Sequence, residues 1–313
     1  MPSIPVTSPF QALVVLALAS TVLFLAGVWI YVLASYGLVG RNAASRTLGL
    51  SLRAMFREAL LAALSQPFLP LFYLVGRRMD RILLPGARRG LARLAVEPSP
   101  SPSPSAEGPL VEQAGSGPVP IVLVHGYMQN RVGFVALARA LASAGLGPIF
   151  GFNYPWFSSI DRNAERLATF VDGVCAETGA ASVDLVCHSM GGLVAVEMMR
   201  RRAMTPPLRV RRCVTIATPH AGVAWRGPIL GIGATSLRRG SALLESHAGA
   251  RLGVPCLSVY STHDNVVHPK ETSQLAARGG RDVEVEGEGH LAILFSRTVA
   301  EHVASFLAEE DPV

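Results

Sequence analysis

Hydrophobic and polar positions divide this chain into two unlike parts. From Met1 to Gly40 there is no charged side chain, and Gln11 to Tyr36 is almost wholly apolar. An apolar run of that length predicts a helix able to span a bilayer, which needs about 20 such residues. A second charge-free stretch runs from Ala59 to Gly76 and holds Pro67 and Pro70. Two prolines so close kink a spanning helix, so this stretch reads as a second span, a re-entrant segment or an interfacial helix. Beyond Pro118 short apolar runs alternate with amphipathic ones. Strands are predicted over 120–125, 148–153, 182–187, 210–217, 254–260 and 282–286, and helices over 133–144, 162–178, 190–203 and 291–307. That alternation predicts an α/β fold with a mostly parallel sheet and helices on both faces. The interval Pro219 to Gly253 shows no strand pattern and reads equally as a short lid or as a surface loop.

Between the two parts lies Glu97 to Pro118, with the repeat Pro98-Ser99-Pro100-Ser101-Pro102-Ser103-Pro104-Ser105. Alternating prolines favour an extended, semi-rigid spacer. The expected organisation is therefore a membrane anchor over 1–97, a linker over 98–118 and a catalytic domain over 119–313, with few contacts crossing the linker. A cleaved signal peptide fits less well, because the chain starts without Lys or Arg and its apolar core is too long.

Composition sharpens this division. The chain carries 28 Lys and Arg against 22 Asp and Glu. Residues 1–97 hold ten arginines against Glu58, Asp80 and Glu97, while the remainder is close to neutral. The basic pI thus belongs to the membrane-proximal part, where arginines attract anionic headgroups. No basic patch interleaved with aromatics supports nucleic-acid binding. Positive segments stay on the cytoplasmic side, and with ten arginines after the first span and none before it, the catalytic domain is expected there. Two spans favour the same side only weakly, which leaves a periplasmic or extracellular catalytic domain as the alternative. Cys175, Cys187, Cys213 and Cys256 fall in apolar strand or helix runs. They read as small buried hydrophobes rather than a disulfide framework, and no metal-ligand spacing occurs among them.

Chemistry concentrates at Leu185-Val186-Cys187-His188-Ser189-Met190-Gly191-Gly192. An apolar strand runs into a serine flanked by small residues, and a helical segment follows. Such a strand–turn–helix presents the serine Oγ at the end of a sheet. The usual pattern is G-x-S-x-G, and Cys187 stands where its first glycine belongs. A serine needs an adjacent base, and the base needs an orienting acid. Asp264 and His290 each follow a predicted strand, so all three side chains are expected at the carboxyl edge of one sheet, where open α/β folds bind ligands. His263 adjoins Asp264 and points the other way in an extended loop. His220 and His268 lie by prolines and are candidates for lining a pocket, while His188 is expected to pack beside the turn. Glu288 is the rival acid, only two residues from His290. An oxyanion hole requires two donors. The N–H of Met190, just after the serine, is one. The other is expected in Val124-His125-Gly126-Tyr127, at the N–H of Tyr127, with Met128 its nearest rival.

Residues 119–308 resemble the α/β-hydrolases, and among them compact bacterial lipases and esterases. The resemblance rests on Val124-His125-Gly126-Tyr127, Cys187-His188-Ser189-Met190-Gly191-Gly192, Ala217-Thr218-Pro219-His220-Ala221-Gly222, Arg239-Gly240-Ser241, His263-Asp264-Asn265-Val266-Val267 and Gly289-His290. It implies an α/β-hydrolase fold for that part alone; the apolar run before it is what predicts the membrane-anchoring helical segment, expected in a bacterial inner membrane. The resemblance further implies a serine hydrolase cleaving ester or lipid substrates through Ser189, His290 and Asp264 without a cofactor. Acyl transfer, thioester or amide cleavage use the same triad and are the alternatives; a catalytically silent scaffold is the remote one.

Overall fold

A computed structural model of the chain describes residues 9–40, 48–68, 77–79, 118–225 and 231–310. The predicted proline linker and residues 69–76 lie outside them. Six strands form one parallel sheet in the order β2-β1-β3-β4-β5-β6: β1 (Ile121–Val124), β2 (Ile149–Phe152), β3 (Val183–His188), β4 (Val210–Ile216), β5 (Cys256–Ser261) and β6 (Arg281–Val285). The middle strands are buried on both faces, which is why they read as continuous apolar runs rather than alternating ones. After β2 the chain crosses back over β1 to lay down β3. That reversal opens a crevice at the carboxyl ends of β1 and β3.

Two apolar cores sandwich the sheet. Helices α4 (Ile160–Thr178) and α5 (Met190–Met204) pack on one face through Leu167, Val171, Leu193 and Val194. Helices α3 (Val135–Ser143) and α8 (Arg297–Ala308) cover the other through Leu137, Leu141, Val303 and Phe306. Ser159 caps α4 by accepting from the Arg162 N–H, and Gly179 ends it in the left-handed conformation. The interval 219–253 contains two short helices, α6 (Ile232–Thr235) and α7 (Ala242–His247), with residues 226–230 outside the described ones. The helix expected over 291–307 is divided. A 3-10 turn covers Ala292–Phe295, Ser296 is extended, and α8 starts at Arg297. All four cysteines are free and buried.

The N-terminal part departs from expectation in one respect. Helix α1 (Pro9–Gly40) is the one helix among the described residues long and apolar enough to cross a membrane, and side chains such as Leu13, Leu16, Leu23 and Ile30 stand exposed on it. Helix α2 (Leu48–Ser65) takes in the first part of the second charge-free stretch, and it is two-faced. Ala54, Glu58, Ala59 and Ala62 are buried, whereas Leu52, Phe56, Leu60 and Leu64 point outward. The three alanines let α2 lie close against the α/β domain, and Ala62 joins the core shared by α3 and α8. Contacts therefore do cross the linker. Arg57 pairs with Glu288, Arg77 with Glu177, and Asn265 donates to Ser35 Oγ at 2.8 Å. Gly151 N–H donates to the Arg77 carbonyl at 2.9 Å, so residues 77–79 cover the open edge at β2.

Candidate active site

At the end of β3 the backbone turns sharply. Ser189 sits at φ 54° and ψ −125°, a left-handed conformation that a side chain adopts only under strain. Its N–H is held by the Ile216 carbonyl at 2.9 Å, and α5 starts at the next residue. Close packing forces this geometry. A Cβ on Gly191 would lie 2.3 Å from the Val124 carbonyl oxygen, and one on Gly126 would lie 2.8 Å from Ser189 Cβ. The turn and the loop after β1 are thus pressed together, as only glycine at both places permits. Cys187, in the place of a more usual glycine, is fully buried and leaves the turn intact.

The structure brings Ser189, Asp264 and His290 together. Asp264 Oδ1 accepts from the N–H groups of Val266 and Val267, each at 2.8 Å. Its Oδ2 lies 2.9 Å from His290 Nδ1. A carboxylate only accepts, so Nδ1 carries the proton and Nε2 is left as an acceptor for the Ser189 hydroxyl at 3.0 Å. Asp264 is buried, and Ser189 and His290 are nearly so.

Comparison with known proteins bears on the fold. The family described as "Domain of unknown function (DUF7379)" matches residues 97–225. A triacylglycerol lipase of Pseudarthrobacter phenanthrenivorans is 35% identical over 112 residues, which are 33% of this chain and 34% of that one. One of Burkholderia plantarii is also 35% identical over 112 residues, 33% of this chain and 30% of its own. The chain thus spans about a third of the length of these curated relatives. Among solved structures, Aspergillus fumigatus lipase B aligns with a TM-score of 0.56 and 16% identity, over 91% of this chain and 86% of that one. The mature form of Bacillus licheniformis lipase BlEst2 aligns with a TM-score of 0.52 and 16% identity, over 64% and 96%. This is an α/β-hydrolase fold.

In the α/β domain the other candidates separate cleanly. Glu288 faces Arg57, not His290. His263 Nδ1 accepts from the Gly287 N–H at 3.0 Å and so braces the loop rather than meeting Ser189. His220 Nε2 lies 3.0 Å from Thr215 Oγ1. His188 packs beside His290 and donates from Nε2 to its carbonyl at 2.9 Å. His125 stacks on Tyr154, its ring centroid 4.2 Å away. Burial drives His125 down to about 4 and His220 down to about 3, so both are neutral near pH 7. Burial also opposes a charge on His290. Asp264 first, by its charge and its hydrogen bond, and then Glu58 outweigh that opposition and raise His290 above the ordinary histidine value.

Met190 opens α5 beside Ser189, and Tyr127 follows Gly126 with its ring edge-on to Trp156 at 5.1 Å. Met128 is exposed, as is Phe157 beside Trp156. Three residues that hold the His290 turn were given no role in the sequence reading. Asn265 accepts from the His290 N–H at 2.9 Å. Glu58 and Arg57 reach the turn around His290 from α2. Asn265 adjoins the acid, and that proximity was the available signal. For Arg57 and Glu58 no local pattern marks a contact with residues more than 200 positions away.

Proposed function

We propose that this protein is a membrane-anchored serine hydrolase that cleaves carboxylic esters, with lipid esters as its substrate class. The observation that carries the reading is the continuous chain from Ser189 Oγ to His290 at 3.0 Å and from His290 to Asp264 at 2.9 Å, mounted on a strained turn. Ser189 Oγ attacks the ester carbonyl carbon and its proton passes to His290 Nε2. The tetrahedral oxyanion is received by the N–H groups of Met190 and Tyr127, each preorganised donor being worth about 2.7–4 kcal/mol. The C–O bond to the alcohol then breaks, and the alcohol leaves with the proton from Nε2. Water adds to the acyl carbon while His290 takes its proton. Ser189 Oγ departs with that proton, and a carboxylic acid is released. Asp264 holds the imidazole in the required tautomer throughout.

The lipid part of the reading rests on the apolar surfaces around this chain. Tyr127, Met128, Trp156 and Phe157 supply an apolar border beside the loop after β1. The outward row of α2, Leu52, Phe56, Leu60 and Leu64, continues the apolar surface of α1, with Phe56 6.3 Å from Trp29. A bilayer covers both surfaces in this account, with residues 1–97 as the anchor, 98–118 as the linker and 119–313 as the catalytic domain. The excess of arginine after α1 favours a bacterial inner membrane with the catalytic domain on the cytoplasmic side. The relatives named triacylglycerol lipase support an ester as the scissile group. The test is turnover of full-length protein on p-nitrophenyl esters, acyl-thioesters and aryl amides, with lipid esters presented in vesicles. Hydrolysis of esters well above amides and thioesters is expected. Faster turnover of thioesters or amides, or acyl transfer outrunning hydrolysis, would replace the ester reading.

A further inference from the structure

The turn that carries His290 is gripped from outside the hydrolase sheet. Glu58, on the inner face of α2, is 1% exposed. Its two carboxylate oxygens each lie 3.0 Å from the Leu291 N–H, and Oε2 accepts also from the Ala292 N–H at 2.8 Å. These are the first donors of the 3-10 turn that directly follows the base, groups that a helix start leaves without internal partners. The fit is close: a Cβ added to Gly289 would lie 2.5 Å from Glu58 Oε2. Arg57, the preceding residue of α2, spans the same turn by pairing with Glu288 and donating to the Phe295 carbonyl at 3.1 Å. A third tie runs through Asn265, which accepts from the His290 N–H and donates to Ser35 of α1.

We propose that Glu58 is a positioning residue for the base His290, so that the active site is complete only while the N-terminal helices are docked on the hydrolase domain. The proposal rests on the triad reading above and extends it to a segment outside the catalytic fold. A neutral amide would still offer the turn one acceptor oxygen, yet a carboxylate is what is buried here. Its second effect is electrostatic, because a negative charge beside His290 favours the imidazolium that forms as Ser189 attacks. The groups that set this balance are His290, Asp264 and His188 in the hydrolase domain, Glu288 with Arg57 across the turn, and Tyr31 of α1. Burial pushes the Glu58 carboxyl up to about 7, against the Leu291 and Ala292 N–H groups and His290, which favour its ionised form. The outward side of α2 is the apolar row assigned to lipid, which makes this helix the direct link between membrane and base.

The experiment compares full-length wild type, Glu58→Gln and Glu58→Ala in lipid nanodiscs on a soluble p-nitrophenyl ester. Glu58→Gln keeps an acceptor for the turn and removes the charge. Its kcat is expected to fall severalfold with KM little changed, and the acid limb of its kcat/KM profile to move to lower pH. Glu58→Ala also releases the turn and is expected to lose about 10²-fold in kcat, the scale of a base misplaced by about an ångström. Thermal midpoints are measured alongside. Wild-type kcat in both variants overturns the proposal. So does a lowered midpoint with the acid limb unmoved in Glu58→Gln, since that marks a strut and nothing more. Fluorophosphonate labelling separates the two readings. Slower labelling of Ser189 in the Glu58 variants supports the proposal, whereas labelling that survives Ser189→Ala sinks the triad reading itself.

Discussion

The loop after β5 and the inner face of α2 both hold His290, and they do so at different atoms. Asp264 meets the imidazole, and its own position is fixed by two N–H groups of its loop. Glu58 meets the backbone one and two residues beyond the imidazole. The first grip sets the tautomer and opposes ring rotation; the second sets where the ring's own backbone lies. Their origins differ as well. The Asp264 loop is a strand-end loop of the sheet, while α2 belongs to the apolar N-terminal part. A sheet edge that brings three side chains together is therefore not the whole of this site, because the turn bearing the base is completed by a helix the sheet does not contain.

Predictions that break or sharpen this contrast rank by how directly each residue touches the reacting atoms. Ser189→Ala removes the atom both regions serve, and kcat is expected to fall by up to about 10⁶ with the thermal midpoint unchanged. Retention of a tenth of wild-type turnover would place the nucleophile elsewhere. Asp264→Asn leaves the packing but favours the wrong tautomer, and a loss of about 10³–10⁴ in kcat is expected. The Glu58 variants described above come next, below Asp264→Asn, since they act on the ring only through its backbone and its charge. Should Glu58→Gln prove more damaging than Asp264→Asn in steady-state assays, the two carboxylates would exchange rank. Glu288→Gln is the smallest effect. It loses a partly buried ion pair with Arg57, worth roughly 1 kcal/mol or less of stability, and turnover is expected within a fewfold of wild type. A loss on the scale of Asp264→Asn would move the acid to Glu288.

The sheet and the meeting of Ser189, Asp264 and His290 were legible because they follow from local signals. Continuous apolar runs marked the buried parallel strands. The small residues around Ser189 marked a turn crowded by β1, as Gly126 and Gly191 bear out. Asp264 and His290 were found from their places after strands. Other features were not local. The division of the last helix arises where Glu58 caps the Ala292 turn from a distant helix and Ser296 breaks the chain before α8. The docking of α2 was hidden because a helix of alanines facing inward and leucines facing outward inverts the pattern expected of a soluble domain. A proline linker predicted separation. The contacts of Arg57, Glu58 and Arg77 run against it, since a spacer sets how far the chain reaches and not whether its two ends meet.

The central claim is that Ser189 is a nucleophile activated by a neutral His290, and it is tested most directly by mapping the fluorophosphonate adduct on full-length protein across pH. Neighbouring carboxylates raise His290 above the ordinary histidine value, and only its neutral form accepts the serine proton. Labelling should therefore be slow below that value and rise with pH to a plateau. The expected result is an adduct on Ser189, formed at a rate that follows this curve and is cut by Asp264→Asn. An adduct on another residue, or labelling of Ser189 at a rate indifferent to pH, would contradict it.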